Sequence, residues 1–476
     1  MTISSHFSEN LSRFQKIFRT DKNFDVVYHV MTIGERQGAI FFIDGFAKDD
    51  TMSRILQFFF SLKPEDIPED AHEFSKRFTP YGEAGLLSEE EDIIVQVLSG
   101  ITCLFLDGYD KAIMIDCRTY PARSVSEPEK DKVMRGSRDG FVETLVFNTA
   151  LIRRRIRDPK LTMEILTAGD SSHTDIAIAY MEGRADMELL KKIKQQIRNL
   201  HVDALTMNQE SLAECLYPYK WYNPFPKFKF SERPDTAAAS LLEGNIVILV
   251  DTSPAAMILP SSVFDIIEEA DDYYFPPITG TYLRLSRMII SLLSLLLTPT
   301  WLLLMQNPQW IPKSLDFIRI ADPVNLPLIW QLFILEFAID GLRLAAINTP
   351  SMLTTPLSVI AGIVLGEYSV KSGWFNSETM LYMAFVTIAN YSQASFELGY
   401  ALKFMRLFIL FCTSLFGLWG YIISLFITAL AVVFNKTIAG KSYIYPLIPF
   451  HLSELKKRFI RTRLPHTSQS SEKEWK

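Results

Sequence analysis

The sequence predicts an α/β N-terminal region of two subdomains, followed by an α-helical, multi-span membrane domain. Three observations carry this. Charges are mixed evenly into the chain up to about residue 275, and four charge-free runs then follow, 288–312, 344–366, 379–396 and 407–435. Runs of about 18 or more such residues are long enough to cross a bilayer as helices. Before them, strand-like and helix-like hydrophobic patterns alternate, as in sheets packed with helices. A length of 476 residues suits two or three domains, and the 48% hydrophobic share averages two unlike halves.

In chain order, FDVVYHVMTI (24–33) and QGAIFFIDGF (37–46) read as strands joined by a turn at Gly34-Glu35-Arg36. DTMSRILQFFFSL (50–62) has helical spacing, and KPEDIPEDAHEFSKRFTPYGEAG (63–85) reads as a charged linker. DIIVQVLSG (92–100) is helical, and 101–108 with 111–121 form a hairpin around Gly108-Tyr109-Asp110. FFIDGF and LFLDGY echo each other as a weak internal similarity. DGFVETLVFNTALIRRRI (139–156) predicts a helix, 161–169 and 174–183 strands, 185–200 a charged helix, and 245–260 a strand pair. The resulting division is 1–125 and 126–280 for the α/β subdomains, 281–440 for the membrane domain and 441–476 for a basic tail.

The runs at 288–305 and 407–434 are clear spans, the second long enough to tilt. Pro350 and Pro356 interrupt the next run, so its helix is expected from Thr354 past Glu367. The run 379–396 is short and contains Asn390, Ser392 and Gln393. A further apolar segment, 327–346, carries Glu336, Asp340 and Arg343 at i, i+4 and i+7, one stripe of a helix. It is expected to be amphipathic or re-entrant. The tail carries Lys456, Lys457, Arg458, Arg461 and Arg463, and basic clusters beside a membrane stay cytoplasmic. The polar N-terminus has no apolar signal segment, which keeps that domain cytoplasmic too. The number of spans is then even, and four spans plus the 327–346 segment fit. Lys403 and Arg406 fall outside in that scheme.

Other functions find little support. The four cysteines are far apart, the seven histidines show no ligand pairing, and the net charge of -6 argues against nucleic acid as a partner. Neither metal nor cofactor is expected, and no nucleotide-binding or nucleophile motif points to an enzyme.

The stretch CRTYPARSVSEPEKDKVMRGSRDGFVETLVFNTALIRRRIRDPKL (117–161) resembles the signature region of the A subunits of GerA-type spore germination receptors. A Pro-Ala-Arg-Ser-Val corner, Glu-Pro-Glu, Arg-Gly-x-Arg-x-Gly-Phe and the Asn-Thr-Ala-Leu-Ile-Arg-Arg-Arg-Ile helix occur in the same order. SVIAGIVLGEYSV (358–370) and YIYPLIPF (443–450) extend the resemblance over nearly the whole chain. Receptor A subunits usually carry Gly-Pro-Arg-Glu-Gly where this chain has Gly136-Ser137-Arg138-Asp139-Gly140, and Gln where it has Glu367. Both departures resemble the branch of stage V sporulation protein AF (SpoVAF), a paralogue of the receptor A subunits. The resemblance implies a spore inner-membrane protein that oligomerises, as a pentamer, into a cation-conducting channel. It also implies a transporter-like B-type membrane subunit as partner.

Two sets of residues stand out. Arg138, Arg153, Arg154 and Arg155 suit bidentate pairing with carboxylates such as Glu127 or Glu129 across a subunit interface, or a solvated helix face with intradomain pairs. Consecutive helical arginines point about 100° apart, so the three cannot share one partner. Gly362 and Gly366 have the spacing that lets helices approach closely, whether in plain packing or around a pore. In the pore reading Val364 or Leu365 forms an apolar constriction and Glu367 a ring of carboxylates. Glu336, Asp340, Asn390 and Gln393 are second-rank pore candidates, or polar packing inside the bundle. The function expected from the resemblance is accordingly an oligomeric channel releasing monovalent cations in germination. The alternatives are a nutrient receptor A subunit and a non-conducting membrane scaffold or signal relay. A transporter fits less well, since no inverted repeat is visible among the spans.

Overall fold

In the computed structural model the chain divides into two compact units, Met1–Pro218 with Phe228–Pro260, and Tyr219–Lys227 with Ser261–Arg463. The structure describes residues 2–47, 49–79, 84–120, 132–217, 222–349 and 359–461. The helical unit therefore begins at Ser261, earlier than the sequence placed it, and includes the tail through Arg463 and a short strap, 219–227.

The α/β unit is a tandem repeat. Its first half runs α1 (Phe7–Phe18), β1 (Val26–Ile33), β2 (Arg36–Ile43), α2 (Asp49–Ser61), α3 (Ala71–Phe78), β3 (Ala84–Leu87), α4 (Glu90–Leu98), β4 (Thr102–Leu106), β5 (Ala112–Ile115). Its second half has the same order: α5 (Leu145–Arg155), β6 (Leu161–Ala168), β7 (Thr174–Met181), α6 (Met187–Arg198), α7 (Asn208–Leu216), β8 (Lys229–Ser231), α8 (Pro234–Leu242), β9 (Ile246–Val250), β10 (Ala256–Leu259). Each half forms one antiparallel five-stranded sheet, β1-β2-β4-β5-β3 and β6-β7-β9-β10-β8, so the topologies coincide.

Local chemistry repeats as well. Asn10, the fourth residue of α1, accepts from the Ser4 N–H (3.0 Å) and donates to the Ser4 carbonyl (2.5 Å). Asn148, the fourth residue of α5, does the same to Val142 (2.8 and 2.5 Å). Asp107 accepts the first N–H of α1 (Phe7, 3.0 Å) and Asp251 that of α5 (Leu145, 3.2 Å). These are orphan donors that a helix start must satisfy. Gly45 and Gly183 close β2 and β7 at φ of 81° and 80°, a left-handed conformation that favours glycine. The repeat therefore aligns FFIDGF (41–46) with AYMEGR (179–184), and LFLDGY (104–109) with ILVDTS (248–253). The echo read within the first half paired the wrong hairpins.

Two further corrections concern this unit. The 63–85 stretch is not a linker, because it contains α3, whose Phe74 is fully buried, and enters β3. The predicted 139–156 helix starts only at Leu145, since Asn148 bonds both polar backbone groups of Val142 and Asp251 caps the helix start. Elements α7, β8 and α8 carry too weak a periodicity to be read from sequence.

The helical unit contains α9 (Val263–Ile267), α10 (Asp271–Tyr274), α11 (Pro277–Gln306), α12 (Leu328–Asn348), α13 (359–371), α14 (Ser377–Tyr391), α15 (Phe396–Val433) and α16 (Leu452–Phe459). Helices α11 and α15 are long and apolar enough to cross a membrane. The 38 residues of α15 do not form one rod, because Gly417 has φ 55° and ψ -132°. The chain reverses there. Thr300 and Trp301 are neighbours on α11, yet Thr300 bonds Tyr421 (2.8 Å) and Trp301 shares a core cluster with Leu410. Likewise Val432 packs into the cluster that holds Leu398 and Ala401. The run expected to tilt is thus a hairpin of two arms.

The segment expected to be amphipathic or re-entrant, α12, is an unbroken helix of 21 residues, about 31 Å long. The run 344–366 is split between the end of α12 and α13, and Pro350 and Pro356 lie outside the described residues. Helix α13 contains a wide π-type stretch, Gly362–Tyr368. One end of the bundle joins α11, α9, α10 and the tail. Arg284 donates to the Lys457 carbonyl (3.0 Å), Thr281 accepts from the Arg461 N–H (3.1 Å), and Arg287 pairs with Asp272 (2.7 Å) and Glu269 (2.9 Å). Burial pushes the Asp272 carboxyl above its ordinary range, although Arg287 and Arg284 pull it back. The opposite end joins α12 to the α13–α14 connection through Gln331 and Asn376 (2.8 and 3.0 Å).

Candidate functional site

The arginines of the signature helix have three different surroundings. Arg153 is fully buried and holds Asp25 with two bonds (2.7 and 3.1 Å), the planar fork geometry that a guanidinium supplies. It also donates to the Leu161 carbonyl (3.1 Å). Asp25 precedes β1 of the first half and Leu161 opens β6 of the second, so Arg153 rivets the repeats together. Helix α5 is shared in the same way: Ala150 belongs to the core of the first half, and Leu145, Leu151 and Ile152 to that of the second. Arg155 pairs with Asp139 (2.5 Å). Burial raises the Asp139 carboxyl, but bonds from Arg155 and Ser137 outweigh this and hold it below the ordinary range.

Arg154 is exposed and lies over the Tyr120 ring at 4.5 Å, while Arg138 is exposed in its loop. Neither Arg153 nor Arg155 is open to a second chain in the way Arg138 and Arg154 are. The proposed partners Glu127 and Glu129 lie outside the described residues.

The stripe on α12 meets two basic residues of α15. Arg406 donates to Glu336 (2.8 Å) and to the Ser294 carbonyl on α11 (2.7 Å), joining three helices. Lys403 reaches Glu336 (3.2 Å) and also pairs with Asp340. Glu336, Lys403 and Arg406 are all buried. Lys403 and Arg406 are therefore inside the bundle, not in a loop. Their i, i+3 spacing opposite a Glu-x-x-x-Asp stripe was the available signal. Gln393 accepts from Ser291 (2.8 Å), and the Asn390 side-chain oxygen is buried beside Gly399 with no hydrogen-bond partner among the described residues.

Helix α13 contrasts with all of these. A Cβ added at Gly362 or Gly366 would meet nothing within 4 Å, Val364 is 53% exposed, and Glu367 pairs on the surface with Lys371. The Leu365 side chain is outside the description.

The sequence model of the family described as Bacillus/Clostridium GerA spore germination protein matches residues 12–473. Stage V sporulation protein AF of Bacillus subtilis (strain 168) is 33% identical over 460 residues, 96% of this chain and 93% of that protein. Spore germination protein KA of the same organism is 25% identical over 468 residues, covering 96% and 85% of the two chains. Among solved structures, the N-terminal domain of the A subunit of the Bacillus megaterium spore germinant receptor GerK3 matches with a TM-score of 0.43 and 23% identity. It covers 55% of this chain and 96% of that one. With a family match over nearly its whole length and a full-length relative above 30% identity, the chain belongs to the GerA family of spore germination proteins.

Proposed function

We propose that this A-subunit-like germination protein forms a homo-oligomeric cation channel, pentameric by resemblance, in the spore inner membrane. It releases monovalent cations during germination and works beside a transporter-like B-type subunit. The α/β unit and the tail face the cytoplasm, and no enzymatic step is involved. The observation that carries the reading is the contrast between α12 and α13. The charges of Glu336 and Asp340 are answered within the chain, whereas α13 leaves both glycines and Val364 open. Small residues let identical helices crowd around an axis. An apolar ring at Val364 with carboxylates at Glu367 would gate by dewetting and favour cations. Gly362, Gly366 and Glu367 remain the pore candidates, and Leu365 is retained from sequence alone. The second-rank candidates Glu336, Asp340 and Gln393 become packing groups in this proposal.

The test is ion release from spores or from reconstituted protein. Val364→Ala should raise basal leak, and Glu367→Gln should lower cation preference without altering assembly. If assembled protein shows neither change, the pore assignment fails and the scaffold or signal-relay reading replaces it.

A further inference from the structure

Within the helical unit one cation differs from its neighbours. Arg343, on the α12 stripe, has no carboxylate partner among the described residues, although Glu336 and Asp340 lie seven and three residues before it. Those acids are taken by Lys403 and Arg406. What surrounds Arg343 instead is aromatic: its guanidinium carbon lies 4.6 Å from the Tyr391 ring centre, 5.3 Å from Tyr400 and 5.6 Å from Phe396. Ring faces attract a cation, but they do not neutralise it.

The place of this cluster matters. Tyr391 ends α14 and Phe396 begins α15, so the rings mark the turn between two helices at one end of the bundle. It is the end that carries the basic tail, because Leu398 and Ala401 pack there with Ile266 and Tyr443. The outer surface beside Arg343 is apolar and open, with Leu344 58%, Ile347 74% and Ile388 65% exposed. Tyr391 and Phe396 are themselves half exposed. Aromatic rings and a basic residue at a helix end, bordered by open aliphatic side chains, match the headgroup level of a bilayer. A guanidinium in that position needs an anion, and apolar surroundings make the need stronger.

We propose that Arg343, framed by Tyr391, Phe396 and Tyr400, is a binding site for an anionic phospholipid. The phosphate lies on the guanidinium, whose planar fork suits two phosphate oxygens. The acyl chains run along Leu344, Ile347 and Ile388. The inference rests on the helical unit lying in a membrane, but not on conduction. It predicts a lipid that bridges α12 to the α14–α15 turn.

The experiment is lipid retention by the full chain in nanodiscs made of phosphatidylcholine with a minor share of phosphatidylglycerol. Lipid held after extraction is counted by native mass spectrometry. The wild type should enrich phosphatidylglycerol over its bulk share. Arg343→Gln should reduce that enrichment about fivefold, the weight of one basic residue at an anionic surface. Arg343→Lys should keep part of it, and Tyr391→Leu should lose part while leaving the charge in place. Unchanged enrichment in Arg343→Gln overturns the proposal. So does displacement of the lipid by inorganic phosphate alone, or a change in oligomer size without a change in lipid, which would assign Arg343 to a second copy. Because no ion flux is read, a failed channel assignment leaves this result standing, whereas a chain that stays outside the bilayer removes both.

Discussion

Arg153 in the α/β unit and Arg406 in the helical unit are both buried and both tie together elements distant in sequence, but their circuits differ. Arg153 and Asp25 form an isolated pair, whose other bonds go to backbone carbonyls. Arg406 belongs to a four-membered network in which Lys403 also reaches Glu336. An isolated pair leaves a stranded charge when either member is lost, whereas a network redistributes it. At its repeat junction the α/β unit thus buries one isolated ion pair among neutral bonds such as that from the Met163 N–H to Asn23 (2.7 Å), and the helical unit spreads its buried charge over two acids and two bases.

The strongest way to break the comparison is to remove each arginine in turn. Arg153→Met should cost about 3–5 kcal/mol, because Asp25 would stay buried without a counter-ion. Arg406→Met should cost less, since Lys403 remains 3.2 Å from Glu336. Adding Asp25→Leu to Arg153→Met should recover much of the loss. Pulse proteolysis in urea, read from fragments of each unit, measures all three. Equal losses for the two arginines would remove the distinction between pair and network.

Another buried cation sharpens it. Lys227, 1% exposed, donates to the Lys436 carbonyl (2.7 Å) and lies over the Tyr443 ring at 5.5 Å. Burial lowers its pKa from 10.5 to about 8. The folded state then releases this proton before the unfolded state does. Between pH 8 and 10.5 the unfolded state holds more protons, so stability should rise with pH, by at most about 1.4 kcal/mol per pH unit. Below about pH 8 the effect should level off. Melting curves of the full chain across this window measure it, and Lys227→Met should flatten the dependence. A slope of opposite sign would mean that the ammonium is better matched than its burial implies.

Most of the α/β unit was legible because its strands are short, apolar and bounded by Gly and Asp. The Asp-Gly ends of FFIDGF and LFLDGY are real features. The tandem repeat was not legible, since its halves share bonding roles more than residues: Gly108 corresponds to Thr252 and Ser4 to Val142. The helix start at Leu145 was missed because its determinants, Asn148 and Asp251, act through the folded backbone. In the helical unit, composition located α11 and α15 but gave no hint that Gly417 reverses the chain. The charges on α12 were visible as a stripe, yet their partners lie 63 to 70 residues away. Long-range pairing of this kind is set by packing, which a one-dimensional reading does not contain. The openness of α13 became visible only once its neighbours had been placed.

The smallest effect concerns Arg154, and it decides whether the signature helix has any outward role. Its ring contact with Tyr120 is exposed, so losing it should cost only about 0.5–1 kcal/mol. Tyr120→Leu removes the same contact from the other side, together with the Tyr120 hydroxyl's bond to the Ser99 carbonyl (2.8 Å) and its edge contact with Phe46, and leaves the cation in place. If Arg154 acts only within the chain, both substitutions should leave assembly unchanged, and Tyr120→Leu should cost the more stability, since it also loses the bond to Ser99 and the contact with Phe46. If Arg154 and Arg138 form the subunit contact, Arg154→Ala should lower oligomer yield well beyond Tyr120→Leu, because only the former deletes the charge offered to a second chain. Arg138→Ala should then act in the same direction. Arg153 cannot confuse the reading, since its effect is on folding and it is fully buried. Cross-linking of full-length protein in membranes, normalised to protein level, separates the cases. Equal yields for Arg154→Ala and Tyr120→Leu would confine all three consecutive arginines to the fold of a single chain.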